Sequence, residues 1–185
     1  KFWAFQPVTL ISPPKNTSHS DNPVDHYIQS GLDRQKLSSA PQATPRDLIR
    51  RAYYDLLGLP PTPAQILKFE TDFKLSGRAA FAELIDELLK SPHYGERWGR
   101  HWLDLVRYAD TAGDAADFPV PEAYKYRNYV IDSFNSDKPY NQFIKEQLAG
   151  DLLPYASEEH RWDQIIGTGY IAISRRIGVS PHNLK

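Results

Sequence analysis

The sequence predicts an all-α fold: a compact domain of seven or eight helices in one layer, behind an extended N-terminal segment. Three observations carry that prediction. Capping residues stand directly before proline four times, apolar residues between those points recur with a period near 3.6, and alternating strand-like runs are nearly missing.

The capping pairs are Asn22-Pro23, Thr44-Pro45, Thr62-Pro63 and Ser91-Pro92. In each, the side-chain oxygen can accept from a free amide of the first turn. Proline at the first helical position loses only an N–H that would have gone unpaired. After Thr44 the stripe Leu48, Ile49, Ala52, Tyr53, Leu56 runs to Gly58, a helix stop ahead of Pro60-Pro61. Ile66, Phe69 and Phe73 follow Thr62, and Phe81, Leu84, Ile85, Leu88 and Leu89 follow Gly77. Tyr129, Val130 and Phe134 form a further stripe, then Phe143, Ile144 and Leu148 after the break Ser136-Asp137-Lys138-Pro139. Trp162–Ile173 is the last apolar segment, and Phe2-Trp3-Ala4-Phe5 is the one stretch that reads as extended. Residues 1–22 are therefore assigned to an extended segment and linker, 23–175 to a helical domain, and 176–185 to a truncated continuation.

Composition narrows the function classes. Of 185 residues, 41% are hydrophobic and 24% charged, enough apolar matter for a real core. The net charge of −1 lacks the basic excess that a duplex-binding surface needs, so no nucleic-acid partner is expected. No apolar run reaches the ~20 residues of a membrane span. With no cysteine, disulfides, thiolate metal sites and covalent c-type haem attachment are excluded within these residues. The chain has no methionine and ends at Asn183-Leu184-Lys185 without a cap, which reads as a piece of something longer, any secretion signal already removed.

Polar functional groups are densest between Ser91 and Asp110. Projected as one continuous helix at ~100° per residue, this stretch places Tyr94, Trp98, Trp102, Leu105 and Ala109 on a buried face. His101 falls well inside that face, with Arg97, Asp104 and Tyr108 along its edge. Glu96, Arg100, Arg107 and Asp110 point away, and Arg107 and Asp110 are the candidates to face a ligand. Two readings compete. Arg97, Asp104 and Tyr108 could form a structural polar seam that fixes helix packing, since an unsatisfied buried group costs ~1–3 kcal/mol. Alternatively His101, oriented by Asp104, could be a general base, metal ligand or axial haem ligand, with His93 two turns away as the nearest second ligand. The aromatic company of His101 favours packing.

Other constellations are weaker. Asp110, Asp114 and Asp117 lack EF-hand spacing and read as a solvated loop. Arg50-Arg51 and Arg175-Arg176 read as surface charge. Tyr124, Tyr126, Tyr129 and Tyr140 with Trp162 could line a carbohydrate platform, though aromatics at helical spacing usually build core. There is no P-loop, dinucleotide fingerprint, G-x-S-x-G or H-E-x-x-H.

Four strings also resemble the second type of planctomycete cytochrome-associated domain, a family of unassigned function. They are Trp3-Ala4-Phe5-Gln6-Pro7-Val8, Tyr54-Asp55-Leu56-Leu57-Gly58-Leu59 with Pro60 to Pro63, Ser91 to Trp98 with His101 to Asp104 and Arg107 to Thr111, and Pro139 to Phe143 with Glu146 to Pro154. The resemblance runs from about residue 2 to about 175. It implies a region of a large exported protein that follows a c-type cytochrome domain and precedes a Cys-x-x-Cys-His segment, with haem c in adjoining parts. Members often lie beside polysaccharide-degrading and sulfatase genes. His93 and His101 sit inside the matching motif and are the haem-proximal or axial candidates. The expectation is thus a helical domain of a periplasmic or cell-surface electron-transfer protein, shaping a haem environment or docking a redox partner. Its partners would be other segments or subunits of that haem protein. The alternative is a module that binds or processes surface polysaccharide through Asp104, Asp110, Arg107 and the tyrosines, and a third reading is assembly alone.

Overall fold

The computed structural model describes residues 2–14, 22–112, 117–169 and 171. Eight α-helices appear among them with no strand, only an isolated bridge between Thr111 and Pro119. The fold is all-α, as the sequence predicts. The chain forms two compact units, Lys1–Ala43 and Thr44–Lys185.

In the first unit, Trp3–Phe5 is a turn of 3₁₀ helix, not an extended piece. The Phe5 amide bonds to the Phe2 carbonyl at 3.2 Å, and the two rings meet with centroids 5.8 Å apart. With no neighbouring strand to pair with, the short aromatic run closes on itself. Helix α1 (Pro23–Arg34) starts on Asn22, whose side chain accepts from the Val24 amide at 3.0 Å, and none of its residues is buried.

The second unit opens with three helices around one core. Helices α2 (Pro45–Leu56), α3 (Pro63–Ser76) and α4 (Arg78–Leu89) bury Ile49, Ala52, Tyr53, Phe69, Ala80, Leu84 and Leu88. Each large apolar side chain so enclosed stabilises the fold by about 1.5–3 kcal/mol. Thr44 and Thr62 cap α2 and α3, and Thr62 forms a full capping box with Gln65. Thr62→Ala should therefore lower stability by ~1 kcal/mol, read as a shifted denaturation midpoint with unchanged slope. After α2 the chain turns at Gly58, whose φ of +71° disfavours any side chain, and a Cβ there would lie 2.9 Å from Cδ of Arg97.

A second core forms among α5 (Pro92–Leu105), α6 (Ala123–Asn135), α7 (Tyr140–Ala149) and α8 (Glu158–Gly167). Its buried residues are Tyr126, Tyr129, Val130 and Phe143, packed against Trp102, Leu103, Val106 and Phe134 among others. The α7 stripe differs from the expected one. Phe143, Glu146 and Gln147 are buried while Leu148 is exposed. Helix α8 begins four residues before Trp162, because Ser157 caps it by accepting from the His160 amide, and Trp162 itself is exposed. Arg175-Arg176, Ile173 and the continuation 176–185 lie outside the described residues. Among those described, no helix is long and apolar enough to cross a membrane.

Candidate functional site

The polar stretch after Ser91 does not run as one rod to Asp110. Helix α5 ends at Leu105, Val106 is its C-cap, and Arg107 takes a φ of +56°. The Tyr108 amide then reaches back to the Leu103 carbonyl at 2.9 Å and the Arg107 amide to Asp104 at 3.2 Å. These are the two bonds of a Schellman stop, with arginine in the left-handed position that usually belongs to glycine.

The buried face of α5 is also rotated from the one the apolar residues suggest. Gly95 and Gly99 are its buried residues, and they press against α6. The Gly95 amide donates to Oδ1 of Asn135 at 2.8 Å, and Nδ2 of Asn135 donates to the Pro92 carbonyl at 3.1 Å. Trp102, Leu103 and Val106 continue that face into the second core. Leu105 is 70% exposed, and Ala109 lies beyond the helix on the surface. His101 is exposed too, against expectation, its ring edge-on to Trp98 at 5.3 Å. Trp98 is half-buried and donates from Nε1 to the Asp55 carbonyl at 3.1 Å.

The remaining predicted residues do not gather. His93 pairs at the surface with Glu96 (Nδ1 to Oε2, 2.8 Å). Asp104 faces Arg100 at 3.8 Å, both exposed, rather than orienting His101. Arg97 is half-buried against Gly58, and its Nε has no partner among the described residues. Tyr108 donates to Oδ1 of Asp110 at 2.5 Å; burial first, then that carboxylate, pushes its phenol up to about 12. Arg107 is exposed. In place of the expected seam of Arg97, Asp104 and Tyr108 there are two separate local pairings, Asp104 with Arg100 and Tyr108 with Asp110, and a packing contact of Arg97 with Gly58; the helix ends before Tyr108. The loop behind is pinched by two bonds, Val120 amide to Asp110 carbonyl at 2.8 Å and Ala112 amide to Phe118 carbonyl at 3.0 Å. Asp114 lies outside the described residues. Among those described, no three His, Asp or Glu side chains are placed to hold a metal ion. The tyrosines divide as well: Tyr126 and Tyr129 are core, while Tyr124, Tyr140 and Trp162 are exposed.

The polar network that does exist lies between α6 and α7, where hydrophobic periodicity gave no sign of it. Glu146, 1% exposed, accepts from Nζ of Lys138 at 2.6 Å, from the Tyr129 hydroxyl at 2.7 Å and from Nε2 of Gln142 at 2.9 Å. Burial alone would raise its carboxyl, but these three donors outweigh it and hold the group below the ordinary carboxylate value. Burial, followed by the Glu146 bond, pushes the Tyr129 phenol far up. Beside it, Nε1 of Trp102 donates to the Tyr126 hydroxyl at 2.9 Å, which donates to Oε1 of Gln147 at 2.6 Å. The available signal was Glu146-Gln147 standing three and four residues after Phe143, on the face that had to be buried.

Against this network lies a cavity of about 190 Å³. Its walls are the rings of Tyr94, Trp102, Phe134, Tyr140 and Phe143. Ser133, Asp137 and Lys138 supply its polar atoms. Sequence reasoning did not foresee it, since Asp137 and Lys138 belong to the break between two helices.

The model of the family described as PSCyt2, protein of unknown function (DUF1549), matches residues 23–183. No curated protein and no solved structure matches the chain.

Proposed function

The chain belongs to the PSCyt2 family of unknown function, and from that membership we propose that it is a helical mount within an exported, c-type haem-containing electron-transfer protein. The mount presents the outward face of α5 to a haem-bearing neighbour or redox partner. One observation carries this reading. The inner face of α5 is locked onto α6 through Gly95 and Gly99, while His93, Arg100, His101, Asp104 and Leu105 of the same helix all face outward. A helix whose backbone is held this closely presents its outer side chains from fixed backbone positions, which lowers the ordering cost of docking.

A haem enclosed by this chain does not fit those residues. Both motif histidines lie on the surface, and the cavity beside α6 holds about one aromatic ring, far less than a porphyrin. Any haem met by His93 or His101 is therefore carried by another part of the protein, and these imidazoles would meet it from the surface, packed against it or as a ligand. The chain's contribution is shape, charge and up to two exposed imidazoles.

The test uses the full-length protein. Its visible spectrum should carry a c-type Soret band, and His101→Ala should change that band or slow reduction of the haem by a chemical donor. A folded, colourless full-length protein overturns the proposal. A coloured protein whose spectrum and reduction rate ignore both His93→Ala and His101→Ala overturns the assignment of the α5 face.

A further inference from the structure

We infer that the cavity between α5, α6 and α7 is a binding site for a neutral, single-ring aromatic molecule bearing an oxygen acceptor, such as an aromatic carboxamide or ketone. The inference is independent of any haem role, because it uses only the inner side of α5 and the turn after α6.

Size sets the ligand class. An apolar cavity of ~150 Å³ takes up benzene. The 190 Å³ here leaves room for one ring and a small substituent. The walls suit that shape, being five aromatic side chains, two of which, Trp102 and Phe143, already meet edge to face at 4.8 Å.

The polar atoms select the substituent. An ammonium has three hydrogens to donate; Lys138 gives one to Glu146 and lies over the Tyr129 ring at 4.5 Å, and its side chain is still 21% exposed. The phenols of Tyr94 and Tyr140 make no hydrogen bond among the described residues. Ser133 is spent on the Tyr129 carbonyl at 2.7 Å. The two phenols can donate or accept, whereas the hydrogens left on Lys138 can only donate, so a ligand oxygen that accepts from them is favoured.

Charge then excludes both ionic relatives of that ligand. Lys138 and Glu146 cancel each other, leaving Asp137, exposed and without an ion pair among the described residues, as the net charge at the rim. An aromatic carboxylate would meet Asp137 and the carboxylate behind Lys138. An aromatic ammonium would meet the Lys138 ammonium, which is the less exposed of the two charges, while the attraction of the exposed Asp137 is screened by water. A neutral acceptor offends neither.

Three near-isosteres test this: benzamide, benzoate and benzylammonium, each titrated into the full chain and followed by the indole N–H resonance of Trp102. Benzamide should bind saturably and at least about tenfold more tightly than either ion. Tyr140 is 70% exposed at the head of α7, so Tyr140→Ala should leave the unfolding midpoint unchanged and weaken benzamide by roughly tenfold as the wall opens. Asp137→Asn should tighten benzoate while leaving benzamide within about twofold. No saturable benzamide binding, equal binding of all three probes, or benzamide binding indifferent to Tyr140→Ala would each overturn the inference.

Discussion

Lys138→Met should destabilise the second unit by ~3–5 kcal/mol at neutral pH, the cost of stranding one member of a buried ion pair. Glu146 is almost wholly enclosed and would retain only Tyr129 and Gln142 as donors. The ammonium also leaves its place over the Tyr129 ring. The double variant Lys138→Met/Glu146→Gln should recover much of the loss, since no charge is then buried. Denaturant midpoints of the four proteins in that cycle measure the coupling, and additive effects would show that the pair is not coupled.

The pH dependence has a definite sign. In the folded protein the Glu146 carboxyl lies below its ordinary value of 4.5. Its contribution is therefore complete above that value and is lost as pH falls through the lower folded value. In Lys138→Met the burial remains and one opposing donor is gone, so the folded value moves up. The gap between wild type and variant should be widest near neutrality and should close as the medium is acidified and the carboxyl takes up a proton.

The second large effect is a contrast between two glycines one turn apart on α5. A Cβ at Gly95 would lie 2.4 Å from the Ile131 carbonyl oxygen and 2.6 Å from Oδ1 of Asn135, and a backbone atom cannot step aside as a side-chain tip can. Gly95→Ala should therefore cost at least the ~1–3 kcal/mol typical of overpacking, with loss of the Asn135 clasp added. At Gly99 the nearest atoms are 3.4 Å and 3.5 Å away, ordinary contact for a methyl group. Gly99→Ala should be neutral or stabilise by up to ~1 kcal/mol through helix propensity alone. Thermal midpoints moving in opposite directions bear out the close α5–α6 approach; equal losses at both positions would refute it.

Helix starts were legible in the sequence and helix ends much less so. Asn22, Thr44, Thr62 and Ser91 each cap a helix with proline behind them, because an N-cap depends on one side chain and the amides beside it. The stops after α1, α5 and α6 use Lys36, Arg107 and Asp137 at positive φ. Aspartate tolerates that conformation and Asp137 stands in a legible break, but nothing in lysine or arginine announces a left-handed turn. The conformation costs about 1–2 kcal/mol for a side chain, and at α5 and α6 the neighbouring residues that enter the second core, Val106 and Phe134, hold the chain to it.

The candidate site divides along the same line. Motif order placed His93, His101, Arg107 and Asp110 in one segment, but whether they share a face depends on where α5 stops and which side meets α6. Apolar counting chose the tryptophan side, whereas glycine, which adds nothing to hydropathy, permits the closest backbone approach and won the interface. The same blindness hid Glu146: a carboxylate reads as surface until three donors from elsewhere in the fold converge on it. The sequence by itself determined the helical class, four of the helix starts and the family, since these rest on local bonds and on the order of residues. The tertiary structure decided the rotation of α5, the exposure of His101, the buried Lys138–Glu146 pair and the aromatic cavity, because each depends on which surfaces meet across the fold.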